Sequence, residues 1–321
     1  MFFKKKKCIF AKIIKTIMYN ILITGANGQL GKCLKDAYHR YTLDVNGIAF
    51  FHSMDRKELD ITNEENIKNV FEKIKPNIVI NCAAYTNVDL AETTGYDDAC
   101  KINIYAVELL SKYCKEYNCL LIHISTDYVY DGRLNFPYHT IGGCVPQNNY
   151  GKTKLYGDDK IMLSGCNYLI FRVSWLYSEY GNNFYNKMLS KFLLNEFEIV
   201  YSTIDEVSCP TNAKKFAFSL LKLCEHYING NIEENKLNKV YHYCDLGLCS
   251  RYDFARAIQD IVSENFYSNI TILPCSKEKF KTPAKRPRYS VLDVSETIKN
   301  FPFIIFNYWR DNLKKEILTK K

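Results

Sequence analysis

No Cys-x-x-Cys pair occurs anywhere in this chain of 321 residues, although it holds 13 cysteines. The closest spacings, Cys114 with Cys119 and Cys244 with Cys249, do not match structural zinc sites. The count is odd and amounts to about 4% of the chain, whereas short disulfide-built secreted domains exceed about 8%. The cysteines therefore read as reduced thiols in a cytoplasmic setting. Also missing are an internal repeat, any low-complexity stretch after the first residues and any Pro/Gly/Ser linker. What is present, 47% apolar and 24% charged residues, excludes wholesale disorder, a collagen-like repeat and a polytopic membrane protein. The length fits one large α/β unit or two domains on one chain.

The formal net charge of +8 suggests an anionic polymer as partner, but its distribution argues against nucleic acid. Lys4, Lys5, Lys6, Lys7, Lys12 and Lys15 lie before Met18 with no acidic residue among them, and eight less six leaves +2 on the rest. Ile9, Phe10, Ile13, Ile14 and Ile17 share one helical face, so residues 1–17 form a basic leader that could lie on a membrane surface. Lys12 and Lys15 interrupt it well short of the ~20 apolar residues a span requires. The plainer reading is a dispensable extension before a functional start at Met18. Membrane contact is expected only through this leader.

From Asn20 the pattern is strand, turn, helix, repeated. Strands are expected at Ile21–Thr24, Gly47–His52, Ile78–Asn81, Leu120–Ser125 and Tyr168–Ser174, with helices at Gln29–Tyr41, Glu64–Ile74, Asp97–Tyr117 and Tyr150–Met162. Continuous Ile, Leu and Val runs without alternation are strands buried on both faces, which points to an α/β doubly wound parallel sheet. After Trp175 the alternation stops. Helices at about Asn183–Leu194, Asn212–Tyr227 and Ser250–Phe266, the last opened by the capping pattern Ser250…Asp253, and a final helix around Trp309 read as a smaller α+β lobe. Short strands at Lys239–Tyr243 and Ile270–Leu273 are assigned to that lobe. The expected division is 18–175 for the sheet and 176–321 mainly for the lobe.

The first strand runs into Thr24-Gly-Ala-Asn-Gly-Gln-Leu-Gly31, where glycines let the backbone approach a pyrophosphate and the following helix N-terminus attracts it. Tyr150-Gly-Lys-Thr-Lys154 opens a later helix and puts Tyr150 and Lys154 one turn apart on one face. A nearby ammonium favours the ionised phenol, drawing it down from about 10 toward working pH. Thr126 sits at the carboxyl end of a strand, where ligands gather in such sheets.

The G-x-x-G-x-x-G spacing with Y-x-x-x-K resembles the extended branch of the short-chain dehydrogenase/reductase superfamily. Within it, the chain from Met18 to about Leu318 resembles the dTDP-4-dehydrorhamnose reductase family. The blocks that carry the likeness are 21–31 (ILITGANGQLG), 59–62 (LDIT), 78–92 (IVINCAAYTNVDLAE), 123–132 (HISTDYVYDG), 149–154 (NYGKTK), 171–177 (FRVSWLY), 181–184 (GNNF) and 286–293 (RPRYSVLD). The resemblance implies a Rossmann-like fold, an oxidoreductase that uses NADPH or NADH, and a nucleotide-sugar substrate in dTDP-rhamnose biosynthesis. It implies that Gly25, Gly28, Gln29 and Leu30 cradle the pyrophosphate and that Asp60 and Ile61 border the adenine. Ala83, Ala84, Tyr85 and Thr86 would line the nicotinamide ribose side. Tyr150 would protonate the 4-keto oxygen, Lys154 would hold the ribose, and Thr126 would bond the same oxygen. Asp127, Tyr128 and Trp175 would contact the sugar nucleotide.

Blander readings stand beside these. Asp60 could cap the Glu64 helix, although Thr62 or Asn63 is better placed. Trp175 could be core. Asp89 and Glu92 suit a solvated face or a cap better than a metal. Arg286 and Arg288 suit a diphosphate or a surface cluster. Some family members bridge a dimer with magnesium through a glutamate two residues after the third glycine; that position is Cys33, so neither that metal site nor that dimer is expected, although a homodimer remains compatible. The usual family D-Q-F-G-A-P-T reads Asp205-Glu-Val-Ser-Cys-Pro-Thr211, which opens base and sugar specificity. Asp55 favours a free ribose 2′-hydroxyl and Arg56 a 2′-phosphate. The alternatives are a non-catalytic NADP-binding regulatory subunit, like that of methionine adenosyltransferase, and a reductase or epimerase of another nucleotide-linked sugar. Trp175 and Asn182-Asn-Phe184 follow the reductase pattern.

Overall fold

The computed structural model describes residues 17–45, 47–194, 199–264 and 270–319. The basic leader, apart from Ile17, lies outside them. Six parallel strands form the central sheet: β1 (Met18–Thr24), β2 (Ile48–Ser53), β3 (Ile78–Asn81), β4 (Leu120–Thr126), β5 (Asn167–Val173) and β10 (Lys239–Tyr243), in the order β10-β5-β4-β3-β1-β2. Their apolar runs are buried on both faces. Ile21 and Ile23 pack with helices α1 (Gln29–Arg40) and α7 (Ala213–Ile228), and Leu22 between them packs with α2 (Glu64–Ile74), α4 (Ala106–Glu116) and α5 (Asn149–Ser164). The chain leaves β1 for one side of the sheet and returns to β3 on its other side. Such a switch point opens a ligand crevice beyond the strand ends.

The expected 97–117 helix is interrupted. A helix at Tyr96–Cys100 (α3) passes through a π-helical turn, Lys101–Tyr105, before α4. π turns concentrate at functional positions, and here the turn buries Asn103.

The placement of Lys239–Tyr243 in the smaller lobe is corrected: this strand completes the main sheet, with Val240 opposite Ile170 and His242 opposite Arg172. α7 likewise covers the sheet, Phe216 lying edge-on to Phe171. The sheet layer therefore draws on both sides of Trp175. Local periodicity identifies a strand but not its neighbour.

α9 (Ser295–Asn300) packs on β10, Thr297 Oγ1 donating to the His242 carbonyl (2.6 Å). The lobe is formed by β6 (Leu176–Tyr177), α6 (Phe184–Leu194), β7 (Ile199–Thr203), β8 (Val207–Ser208), β9 (Thr211–Asn212), β11 (Cys249–Ser250), α8 (Arg251–Ser263), β12 (Thr271–Cys275) and α10 (Trp309–Leu318). Tyr185, Phe192, Phe254, Ile258, Trp309 and Leu313 build its core. Among the described residues no helix is long and apolar enough to cross a membrane.

Candidate active site

The turn after β1 is shaped by close approach. Gly25 has φ +64°, and a methyl group there would stand 2.8 Å from Ala83 Cα; one on Gly31 would stand 2.4 Å from the Gly25 carbonyl oxygen. Only glycines allow β1, the turn after β3 and α1 to meet this tightly. Gly28, the residue before α1, offers no side-chain cap, so the first N–H groups of the helix are open to an anion. Gly25, Gly28, Asp60, Ile61, Ala83 and Ala84 line a cavity of about 280 Å³. Asp60 accepts from the Thr62 amide (2.9 Å) and hydroxyl (2.7 Å), while Asn63 caps α2. Asp55 is occupied: one oxygen accepts from Asn27 (2.6 Å), the other from the amides of Lys57 (2.8 Å) and Glu58 (3.2 Å). Arg56 reaches the cavity, with Asp60 3.8 Å from its Nε.

Gly28 and Ala84 also line a second cavity of about 500 Å³, together with Gln29, Leu30, Thr86, Thr126, Asp127, Tyr128, Tyr150, Lys154 and Trp175. What presses α5 onto this site is Gly151, where a methyl would meet the Tyr128 carbonyl at 2.2 Å. Asn148 caps the helix by accepting from the Gly151 amide (2.7 Å), and Glu92 accepts from the Asn149 amide (2.5 Å). Glu92 is thus a cap, and Asp89 is an ion-pair partner of Arg286 at 2.8 Å. Among the described residues no cluster of His, Cys, Asp and Glu could hold a metal. Cys33 is buried, its thiol pushed up to about 12 by desolvation, and supplies no oxygen ligand for a hard cation.

Tyr150 hydrogen-bonds Thr126 and meets Tyr128 edge-on at 5.9 Å. Its pKa departs from the sequence reading. Burial pushes the phenol up from its ordinary value, and the Thr126 contact only partly opposes this. Lys154 Nζ is turned to the Ile124 carbonyl (2.7 Å) and His123 Nε2 (3.0 Å), and desolvation of the phenol outweighs the groups that lower it. The phenol therefore stays protonated at neutral pH, the form a proton donor needs. Burial lowers Lys154 to about 8, with Asp158 pulling the other way.

Tyr85 sits apart from its neighbours in this segment. It is absent from the lining of the three cavities described here; its hydroxyl runs back to Gly95, where an added methyl would meet it at 1.9 Å. Its backbone is clamped by Asn103, which accepts from the Tyr85 amide (2.9 Å) and donates to its carbonyl (3.1 Å) and to Thr153 (3.1 Å). Sequence reading passed over Asn103; its only local mark is an amide in an otherwise apolar helical face.

Asp127 joins the two layers. It accepts from Ser290 Oγ (2.6 Å), beside Ser208, and burial raises its carboxyl to about 6. Trp175 is half-buried and carries φ +42°, a conformation that tryptophan rarely adopts. The Thr211 amide donates to its carbonyl at 3.2 Å and holds it there. A third cavity of about 570 Å³ continues past Trp175, lined by Lys187, Glu206, Lys277 and Arg286, and Asn182, Asn183, Phe184 and Arg251 border both it and the second. Asn183 donates to Gln29 Oε1 (2.6 Å), tying the lobe to the glycine turn. Arg288 is exposed and lines none of the three.

The chain matches the family model described as the RmlD substrate binding domain over residues 19–320. A dTDP-4-dehydrorhamnose reductase from Aggregatibacter actinomycetemcomitans is 34% identical over 286 residues, covering 88% of this chain and 94% of the relative. Among solved structures, a dTDP-4-dehydrorhamnose reductase from Clostridium acetobutylicum superposes with a TM-score of 0.81 at 34% identity, covering 94% of this chain and 100% of the other. The enzyme from Bacillus anthracis in complex with NADP superposes with a TM-score of 0.81 at 31% identity, over 94% of this chain and 100% of that one. With a family model matched over residues 19–320, and with the glycine turn and the Tyr150–Lys154 helix in one chain, this protein belongs to the dTDP-4-dehydrorhamnose reductase family.

Proposed function

We propose that the chain catalyses NAD(P)H-dependent reduction of the 4-keto group of dTDP-4-dehydrorhamnose (dTDP-4-dehydro-6-deoxy-L-mannose) to dTDP-L-rhamnose. The observation that carries the reading is Tyr150: a half-buried, protonated phenol bonded to Thr126, in a cavity that also reaches the glycine turn. A dinucleotide fits the residues present, since the uncapped N-terminus of α1 suits a pyrophosphate and the cradle around Gly25 has no room for a side chain. When bound, the reduced nicotinamide supplies the hydride. Tyr150 Oη gives its proton to the carbonyl oxygen, and the Thr126 hydroxyl hydrogen-bonds the same atom as charge develops on it. Lys154 holds the ribose hydroxyls and restores the proton to Tyr150. Asp127, Tyr128 and Trp175 orient the sugar nucleotide, so that residues 176–321 serve mainly the substrate. The reading places the enzyme in the cytoplasm.

The test is purified protein with NADPH or NADH and enzymatically prepared dTDP-4-dehydrorhamnose, followed by the loss of reduced-cofactor absorbance. Tyr150→Phe should lower kcat by about 10²–10⁴ while sparing cofactor affinity. Cofactor binding without turnover of any nucleotide-linked ketosugar would remove the enzymatic reading and favour a regulatory protein. Glu206, which lines the nucleoside side of the site, makes UDP- and GDP-linked ketosugars the first alternatives to assay.

A further inference from the structure

Four residues, Asn182, Asn183, Phe184 and Arg251, stand at the neck between the cavity that holds Tyr150 and the cavity beyond Trp175. Of these only Arg251 is charged. It is the first residue of α8, but the helix start does not depend on its side chain. Ser250 Oγ accepts from the Asp253 amide (3.0 Å), and Asp253 accepts in return from the Ser250 amide (2.9 Å). The side chain instead turns into the neck and lies flat on Trp175, its guanidinium carbon 3.6 Å from the ring centroid and 5.1 Å from that of Phe184.

The stack leaves the five N–H donors of the guanidinium free at its edges, and they are poorly served. Among the described residues the guanidinium makes no hydrogen bond, and its one ion pair is a long one, Glu206 Oε2 at 4.0 Å from Nε. Tyr128, Glu206 and Asp127 lend it electrostatic support, and neither Tyr128 nor Asp127 is a hydrogen-bond partner. Arg286, 35 positions later, is the opposite case: it donates to Asp89 at 2.8 Å and to the Ala284 carbonyl at 3.2 Å. A cation held flat on a ring, largely covered and without a close acceptor, has its donors ready for an anionic ligand that enters the neck.

We infer that Arg251, flat on Trp175, is the residue that grips the diphosphate linking nucleoside and sugar. The inference rests on the proposed nucleotide-sugar substrate. With the keto sugar beside Tyr150 and the nucleoside in the outer cavity, only the linking group passes the neck. A diphosphate there offers paired anionic oxygens in the plane that a stacked guanidinium presents, and Arg is suited to this where Lys is not. The positive φ of Trp175 then has a use, because it aims the ring that sets this plane.

The experiment is calorimetric titration of the full chain, saturated with NADPH, with dTDP, UDP and GDP and with the matching nucleosides. Arg251→Met keeps the stem on Trp175 and removes the donors. Diphosphate affinity should fall about tenfold to a hundredfold for whichever base binds, with nucleoside and NADPH affinities unchanged. Arg251→Lys should recover only a small part of the loss. Equal losses for nucleoside and diphosphate would reduce Arg251 to a packing role, and unchanged diphosphate affinity would place the anion elsewhere; either overturns the assignment. A wild-type chain that binds no nucleoside diphosphate overturns both this and the proposed substrate. Selective diphosphate loss in a chain that reduces no ketosugar upholds Arg251 and refutes only the reaction.

Discussion

Lys154 Nζ lies 3.0 Å from His123 Nε2, in a setting that dictates which of the two carries a proton. Asn81 Oδ1 accepts from Thr24 Oγ1 (2.6 Å) and from the Ala83 amide (3.2 Å), so its Nδ2 faces His123 Nδ1 at 3.0 Å. Nδ1 must then accept, and the neutral ring carries its proton on Nε2, aimed at Lys154. An ammonium has no lone pair to receive it, so the arrangement favours the free amine of Lys154. Burial and the nearby Lys154 charge push the basicity of His123 well below its ordinary value, which keeps the ring neutral.

Reduction consumes a proton, so kcat should fall as pH rises through the Lys154 value of about 8. Asp158, backed by Arg172 at 3.3 Å, and the protonated Tyr150 are the other groups around this amine, with Asp127 farther along the cavity. His123→Phe removes the donor and should move the alkaline limb to higher pH with a lower kcat. His123→Gln, which can present an amide N–H, should keep the limb near that of wild type. A pH profile identical in wild type and the Phe variant would refute the role.

Asp127 should limit stability. Its folded pKa of about 6 lies above the ordinary value of about 4 for an unfolded chain. Its contribution to stability is therefore fully present below pH 4, declines between pH 4 and 6, and is lost above pH 6. Asp127→Asn should melt higher than wild type at pH 7.5, by at most about 3 kcal/mol, and lose that advantage by pH 4. Thermal melts at the two pH values measure it, and kcat/KM should drop in the same variant.

Gly31→Ala should destabilise by about 3 kcal/mol, because its methyl would meet the Gly25 carbonyl oxygen at 2.4 Å, a backbone atom that cannot swing aside. At Gly28 the same oxygen lies 3.1 Å from the added methyl, so Gly28→Ala should be milder. Urea unfolding of the two variants ranks them, and NADPH affinity should fall furthest for the first.

With one Asp55 oxygen held by Asn27 of the glycine turn and the other by the amides of its own turn, Arg56, which reaches the cavity with only a long 3.8 Å pairing to Asp60, is the group left to read the ribose 2′-position. Arg56→Ala should raise the KM for NADPH by about tenfold and leave that for NADH nearly unchanged. An equal change with both cofactors would show that Arg56 does not discriminate.

The sites closest to regular elements were legible. Gly25, Gly28 and Gly31 follow a strand and open a helix, and Tyr150 and Lys154 share a face because the helical repeat requires it. The capping box at Ser250 and Asp253 was readable for the same reason. Arg251, His123 and Asn103 were not singled out, because their partners Trp175, Lys154 and Tyr85 come from other elements. The state of Tyr150 was misread for a related reason: pairing with Lys154 is visible in spacing, but desolvation is not.

The sequence alone determined the α/β class, the paired faces of the sheet and the shared helical face of Tyr150 and Lys154, since strand burial, turn glycines and helical spacing act over a few residues. Only the tertiary structure decided that Lys239–Tyr243 closes the main sheet, that Asp55 is tied to Asn27 of the glycine turn while Arg56 reaches the cavity, and that an arginine lies flat on Trp175 at the neck between two cavities. These are choices among chemically equal partners, made by which surfaces the packed core brings together and strips of water.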